Sequence, residues 1–200
     1  MINKPIRLCY MDDNHDELLD SYLAEIETEK ELEIEFYEVE KSSTYKTLLK
    51  AEEIRTSSII LTDSQLFEGK AGGLTGEQFR EILKQEFGHK KILVLSQFNK
   101  NAETSTIIPK YRPQTGDDFE ARSLASKEYY DRLLLPKIEK AIKELKESFE
   151  VIENLSQSGV DLATIERIEG NIEGNIENMP DKEDIDALID IFKKTIENYD

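Results

Sequence analysis

The run Ser57-Ser-Ile-Ile-Leu-Thr-Asp63 constrains the fold of this chain more than any other stretch. It is short, apolar and rich in β-branched residues, ends abruptly on a carboxylate, and leads into polar, glycine-rich sequence. A continuous apolar run of this length reads as a strand buried on both faces, the kind found in parallel sheets covered by helices on either side. In such sheets ligands bind beyond the carboxyl ends of the strands. Asp63 is therefore expected at a site, and the question becomes what else the fold brings there.

Other segments read as alternating strands and helices. Ile6 to Met11 is a strand stopped by Asp12-Asp13-Asn14, and residues 15 to 29 carry Leu18, Leu19, Tyr22, Leu23 and Ile26 at helical spacing. Leu32 to Val39 alternates as a half-exposed edge strand. Residues 44 to 53 form a short helix before the central run, and Thr75 is placed to cap a helix burying Phe79, Ile82, Leu83 and Phe87. Lys90 to Ser96 is a second buried strand. Asn99 to Glu120 holds Pro109, Pro113 and Gly116 and reads as irregular, with Thr106-Ile-Ile108 its one apolar anchor. Ala121 to Lys127 is assigned as the fifth strand because of what precedes it.

From Pro136 the pattern is strongly helical, with Ile138, Ile142, Leu145, Phe149 and Ile152 on a heptad-like seam. Pro136 suits the first turn, where its missing amide hydrogen costs nothing. Asp161 is placed to cap a second helix, and Asp181 a third through Ile185, Leu188, Ile189, Phe192 and Ile196. The second contains a period-four repeat with Gly170 and Gly174, each weakening a helix by roughly 1 kcal/mol relative to alanine. Close packing of a partner helix and a partly open loop are both compatible with those glycines. The expected division is residues 1–135 as an α/β domain and 136–200 as an acidic helical extension.

Charge narrows the function classes. The chain carries 26 basic and 43 acidic residues, a net charge of −17. That balance argues against non-specific binding to nucleic acid or anionic membrane and for neutral or basic protein partners. No apolar run reaches membrane-spanning length, and Met1 to Arg7 is too short and polar for a secretion signal, so a cytoplasmic protein is expected. Cys9, the single cysteine, lies within a strand pattern as a small core residue. His15 and His89 share no metal-ligand spacing, and the glycines at 69, 72 and 73 lack the following Lys-Ser/Thr of a phosphate-binding loop.

Alternation over residues 6–127 predicts an α/β sandwich on a parallel sheet, and right-handed crossovers place successive strand ends on one edge. Asp12, Asp13, Asp63, Ser96 and Lys127 follow the presumed first, third, fourth and fifth strands. Three carboxylates together repel unless a cation sits among them, and hard oxygen ligands suit Mg²⁺.

This ordered set resembles the receiver domain of two-component response regulators, a flavodoxin-like fold of strand order 2-1-3-4-5. The resemblance covers roughly the first two thirds of the chain. It implies that Asp12 and Asp13 hold Mg²⁺ together with Asp63 and Gln65. It further implies that Asp63 accepts a phosphoryl group from a histidine kinase or phosphotransfer protein, and that Ser96 and Lys127 contact that group. A carboxylate is a competent phosphoryl acceptor, and cations neutralise the transferring oxygens. The sequence departs from the family in its long loop after Asp63 and the long interval between Ser96 and Lys127. Glu128 stands where the family usually has proline, and Leu124 where an aromatic switch residue is common. Lys110, the alternative lysine, lies only 14 residues past Ser96, too near for a helix and a strand between.

The resulting expectation is a phosphoacceptor receiver, not an enzyme in its own right, with no DNA-binding output. It would signal through an effector protein or by homodimerising through the extension. One alternative is a pseudo-receiver acting as an assembly module without phosphorylation. Another, an aspartyl-phosphate hydrolase, is disfavoured because such enzymes usually need an acid two residues past the nucleophile, where this chain has Gln65.

Overall fold

A computed structural model describes residues 5–14, 16–30, 32–40, 42–66, 76–97, 107–113 and 118–173. The expected helix at 181–196, the Thr75 cap, Gly174, His15 and the glycines at 69, 72 and 73 lie outside the described residues.

Five strands form one parallel sheet: β1 (Ile6–Asp12), β2 (Leu32–Glu38), β3 (Ile59–Asp63), β4 (Lys91–Ser96) and β5 (Ile107–Pro109), in the order β2-β1-β3-β4-β5. The helices are α1 (Glu17–Lys30), α2 (Tyr45–Leu48), α3 (Glu52–Thr56), α4 (Gly76–Glu86), α5 (Phe119–Leu133), α6 (Leu135–Gln157) and α7 (Leu162–Glu173). The parallel sheet is the one the alternation predicts, and its order is the flavodoxin-like one that the family resemblance implies. Its order reverses between β1 and β3, the point at which such sheets open a crevice.

Strand alternation builds two cores. Leu8, Tyr10, Leu61, Leu93, Leu95 and Ile108 face α1, α5 and α6. Cys9, Met11, Ile60 and Ile92 face Leu48 of α2, Ile54 of α3 and Phe79 and Leu83 of α4. Each strand except β2 is covered on both sides, which is why β3 and β4 contain almost no polar residue before their last. Cys9 sits in the second core, and burial raises its thiol to about 12, so it packs as a small apolar residue.

The fifth strand is not where the sequence placed it. Residues 121–127 lie inside α5, started by Asp118, whose carboxylate accepts the Ala121 amide at 2.8 Å. Ala-Arg-Ser-Leu-Ala-Ser-Lys has no period-two alternation and is rich in helix formers. The strand is instead the apolar anchor of the supposedly irregular segment, Ile107-Ile108-Pro109. Proline is tolerated there because β5 is an edge strand, where one ladder amide is dispensable.

Pro136 takes the first turn of α6 as expected. The first half of this helix is not a free extension: Ile138, Ala141 and Leu145 belong to the same core as the sheet. Lys30–Glu139 at 2.7 Å and Lys91–Glu144 at 2.7 Å tie it to α1 and β4. Beyond residue 146, α6 and α7 form a hairpin in which Ile152 and Ile165 are buried. Asp161 caps α7 through the Thr164 amide at 2.9 Å, as its position predicts. No described helix is long and apolar enough to cross a membrane.

If α6 is part of the core, Ile138→Ala should lower the unfolding free energy by about 2–5 kcal/mol in urea denaturation. Val151→Ala, further along the same helix and 57% exposed, should change it by less than about 0.5 kcal/mol. Equal small effects at both positions would contradict this packing.

Candidate functional site

Parallel register fixes which residues meet at the carboxyl edge. Met11 pairs with Thr62, so Asp12 and Asp63 end adjacent strands side by side. Asp63 pairs with Leu95, and Ser96 with Pro109, so the next residue after β5 is Lys110. The backbone continues the pairing, with the Lys110 amide donating to the Ser96 carbonyl at 2.9 Å.

Lys110 is the cation of the site. Its Nζ lies 2.6 Å from Asp12 Oδ2 and 2.8 Å from Asp63 Oδ1. All three side chains are buried, at 3%, 3% and 7% exposure for Asp12, Asp63 and Lys110. Lys127 is elsewhere. It stands on the flank of α5, its side chain 41% exposed and ion-paired to Glu25. The expectation that Lys127 enters the site is therefore corrected to Lys110. The sequence argument excluded Lys110 by requiring both a helix and a strand between it and Ser96. β5 begins at Ile107 and is three residues long, so its end and Lys110 both fall within that interval. The same correction moves the position three before the lysine from Leu124, which is 62% exposed, to the buried Ile107.

Each acid is oriented locally. Tyr10, two residues before Asp12 and on the same strand face, donates its hydroxyl to Asp12 Oδ2 at 2.6 Å. Asp12 Oδ1 accepts the Asn14 amide at 3.2 Å. Asp63 Oδ2 accepts the Gln65 amide at 2.6 Å, so the turn after β3 folds back on its own acid. Asp63 Oδ1 has the Lys110 ion pair but accepts no well-aligned hydrogen bond. Asp13 is exposed, and Ser96 is buried at the end of β4.

Burial pushes the Asp63 carboxyl above its ordinary value; Lys110 draws it back, and the charge of Asp12 adds to the rise. For Lys110 burial alone acts downward, but Asp63 and Asp12 together outweigh it and hold the ammonium above its ordinary value. One cation shared by two carboxylates explains both directions: the lysine has charge to spare around it and the acids do not.

Gly76 shows how tightly the next helix approaches. Its amide donates to the Ser64 carbonyl at 2.7 Å, and a Cβ at this position would stand 2.4 Å from the Asp63 carbonyl oxygen. Only glycine allows α4 to begin against the backbone of Asp63.

Above these groups is a polar hollow of about 600 Å³, lined among others by Asp12, Asp13, Asp63, Gln65, Gln97 and Lys110. Of the residues expected at the site, Asp12, Asp13, Asp63 and Gln65 thus face one space, Ser96 lies at its strand edge, and Lys127 does not take part. The roles of Tyr10 and Gly76 escaped the sequence reading, whereas Lys110 was weighed there and set aside. The signal for Lys110 is the Thr106-Ile-Ile108 run, which ends two residues before it.

The oxygen donors around the hollow suit a hard divalent cation. Among the described residues no three acids, histidines or cysteines converge closely enough to hold an ion alone. Mg²⁺ requires no such cluster, since it keeps several of its waters and takes one or two carboxylates.

No protein-family model matches the sequence, and no curated protein does. Among solved structures, the chain aligns with the non-phosphorylated receiver domain of the stress response regulator RcsB from Escherichia coli. The identity is 15% and the TM-score 0.44, over 70% of this chain and 95% of that one. It also aligns with RcsB from Salmonella enterica serovar Typhimurium bound to promoter rprA in the presence of the phosphomimetic BeF3−, at 17% identity and a TM-score of 0.40. That alignment covers 84% of this chain and 99% of the other.

A carboxyl whose value is raised on folding binds its proton more tightly in the folded chain. Ionisation of Asp63 therefore costs stability, lost as pH rises from the ordinary value of 3.8 through the raised one. In metal-free buffer Asp63→Asn should be more stable than the wild type at neutral pH, and the difference should close below the ordinary carboxylate value. Urea denaturation across that pH range measures it; an Asp63→Asn variant less stable at neutral pH would contradict the assignment.

Proposed function

We propose that this chain is a response-regulator receiver that accepts a phosphoryl group on Asp63 and signals through protein contacts. The observation carrying the reading is the buried Asp12–Lys110–Asp63 arrangement at the switch point of a 2-1-3-4-5 sheet. Burying two acids against one lysine leaves one negative charge without a partner, and that is costly. Excess negative charge of this kind suits a site that takes up a divalent cation before it receives an anionic group.

The carboxylate oxygen of Asp63 forms a bond to phosphorus as the phosphorus–nitrogen bond of a phosphohistidine donor breaks, and the freed imidazole keeps the electron pair. Lys110 neutralises oxygen charge on the transferring group, and Ser96 supplies a hydroxyl at the neighbouring strand end. Asp12, Asp13, Asp63 and Gln65 are the groups that would hold Mg²⁺, which supplies further charge neutralisation when bound. Asp63 rather than Asp12 is the acceptor in this reading because Tyr10, Asn14 and Lys110 engage both Asp12 oxygens, whereas Asp63 Oδ1 has the Lys110 ion pair alone.

A histidine kinase or phosphotransfer protein is the donor in this reading, and the chain works in the cytoplasm as a two-component signalling phosphoprotein. DNA-binding output is not part of it: residues 136–200 carry 8 basic and 17 acidic residues, opposite to what a phosphate backbone attracts. The output runs through α5, α6 and the acidic helical segment, to an effector or a second copy.

Incubation with Mg²⁺ and a small phosphodonor should add one phosphate-sized mass to the wild type and none to Asp63→Asn. Lys110→Met should slow the modification strongly, and Lys127→Ala should leave it at the wild-type rate. An unmodified wild type would favour the assembly module that works without phosphorylation; a rate lowered by Lys127→Ala and not by Lys110→Met would overturn the site assignment.

A further inference from the structure

Lys110 is held by more than its two acids. The residue before it, Pro109, has its carbonyl bonded by the Tyr129 hydroxyl at 3.1 Å. The residue after it, Tyr111, donates its amide to the Tyr130 hydroxyl at 3.2 Å. Tyr129 and Tyr130 are consecutive on α5, so one turn of one helix grips the backbone on both sides of the lysine.

Their rings make the grip stiff. Tyr130 is fully buried, with its ring 5.4 Å from that of Tyr22 on α1 and edge-on to Tyr129 at 5.5 Å. Tyr111 packs on Tyr129 at 5.6 Å, so it is bound to α5 through both its amide and its ring. Lysine carries its ammonium on a flexible four-carbon stem, so a fixed backbone limits the range the ammonium can reach. In so short an edge strand the ladder gives limited restraint: among the described residues β5 pairs with β4 over Ile107, Ile108 and Pro109 and ends on the bond from the Lys110 amide to the Ser96 carbonyl. The tyrosine pair supplies the restraint that a longer strand would have given.

We propose that Tyr129 and Tyr130 are positioning residues for Lys110, and that through them α5 follows the charge state of Asp63. The second half rests on the phosphoacceptor reading above. When Asp63 carries a phosphoryl group, the anionic oxygens that Lys110 neutralises lie further into the hollow. A shift of Lys110 toward them pulls on Pro109 and Tyr111, hence on the hydroxyls of α5. That helix continues through the buried Leu134 into α6, which puts the displacement within reach of the chain's surface. Coupling of this kind is reciprocal, so a partner that holds α5 in one position also biases how Lys110 meets Asp63.

A purely structural role, in which the hydroxyls do no more than satisfy backbone groups of an edge strand, predicts different behaviour. The test uses the full chain with Tyr129→Phe/Tyr130→Phe, Lys110→Met and the combination; phenylalanine keeps the rings and their packing. In thermal melts, positioning predicts that the combined variant loses less Tm than the sum of the two losses, because unclamped tyrosines matter less once the ammonium is gone. Losses that add would overturn the positioning role. Hydrogen exchange of the α5 amides, with and without Mg²⁺ and beryllium fluoride, reads the coupling. Exchange in α5 should change in the wild type, and this response should be lost in Tyr129→Phe/Tyr130→Phe although the fluoride still binds. Equal α5 responses in the two proteins would overturn the coupling. A wild type that takes no beryllium fluoride would sink the phosphoacceptor reading and the coupling with it, while the melts still decide whether the tyrosines place Lys110.

Discussion

The Lys110 ammonium, 2.6 Å from Asp12 and 2.8 Å from Asp63, is the contact on which the carboxyl edge of the sheet depends. The 2-1-3 order forces the ends of β1 and β3 together, and both end on acids. Two buried carboxylates at that distance from one cation tolerate neither its loss nor much displacement, since an uncompensated buried charge costs several kcal/mol. The lysine must come from a strand beyond β4. This explains why the chain retains a fifth strand of only three residues, ending on a proline, with its register held by the Ser96 carbonyl.

From that contact the architecture on the Tyr10 face follows. Tyr10 bonds the same Asp12 oxygen that Lys110 approaches, so strand and lysine fix one carboxylate from two directions. Tyr129 and Tyr130 fix the backbone around the lysine, and Tyr22, bonded to Asp131 at 2.9 Å, fixes α5 against α1. The helix α6 then closes the core with Ile138, Ala141 and Leu145. On the opposite face Gly76 lets α4 start against the Asp63 backbone. Helix placement here serves the geometry of three charged side chains.

Much of this was legible in the sequence, for reasons that differ between elements. Residues 59–63 and 91–96 were readable because strands buried on both faces leave uninterrupted apolar runs ending on the polar residue that faces the site. Asp63 followed from such an end, and Asp12 and Asp13 from the abrupt stop of the first strand. β5 was not readable as a strand: three residues are too few to show a period, and its proline argues against a strand unless the edge position is already known. Misplacing β5 then carried the lysine with it, from 110 to 127. Tyr10 and Tyr129–Tyr130 left no trace because a tyrosine at a core position looks like packing until its hydroxyl partner is seen. Gly76 likewise became meaningful only once the backbone it touches was known.

The central claim is that the hollow above Asp12, Asp63 and Lys110 receives a phosphoryl group on Asp63. Fluorine NMR of the full chain with Mg²⁺ and beryllium fluoride tests it most directly, because the bound fluoride reports on the acceptor without any donor protein. The account predicts bound fluorine resonances that require Mg²⁺, disappear in Asp63→Asn, and shift in Lys110→Met but not in Lys127→Ala. A wild-type spectrum showing free beryllium fluoride alone, or bound signals that survive Asp63→Asn, would contradict it.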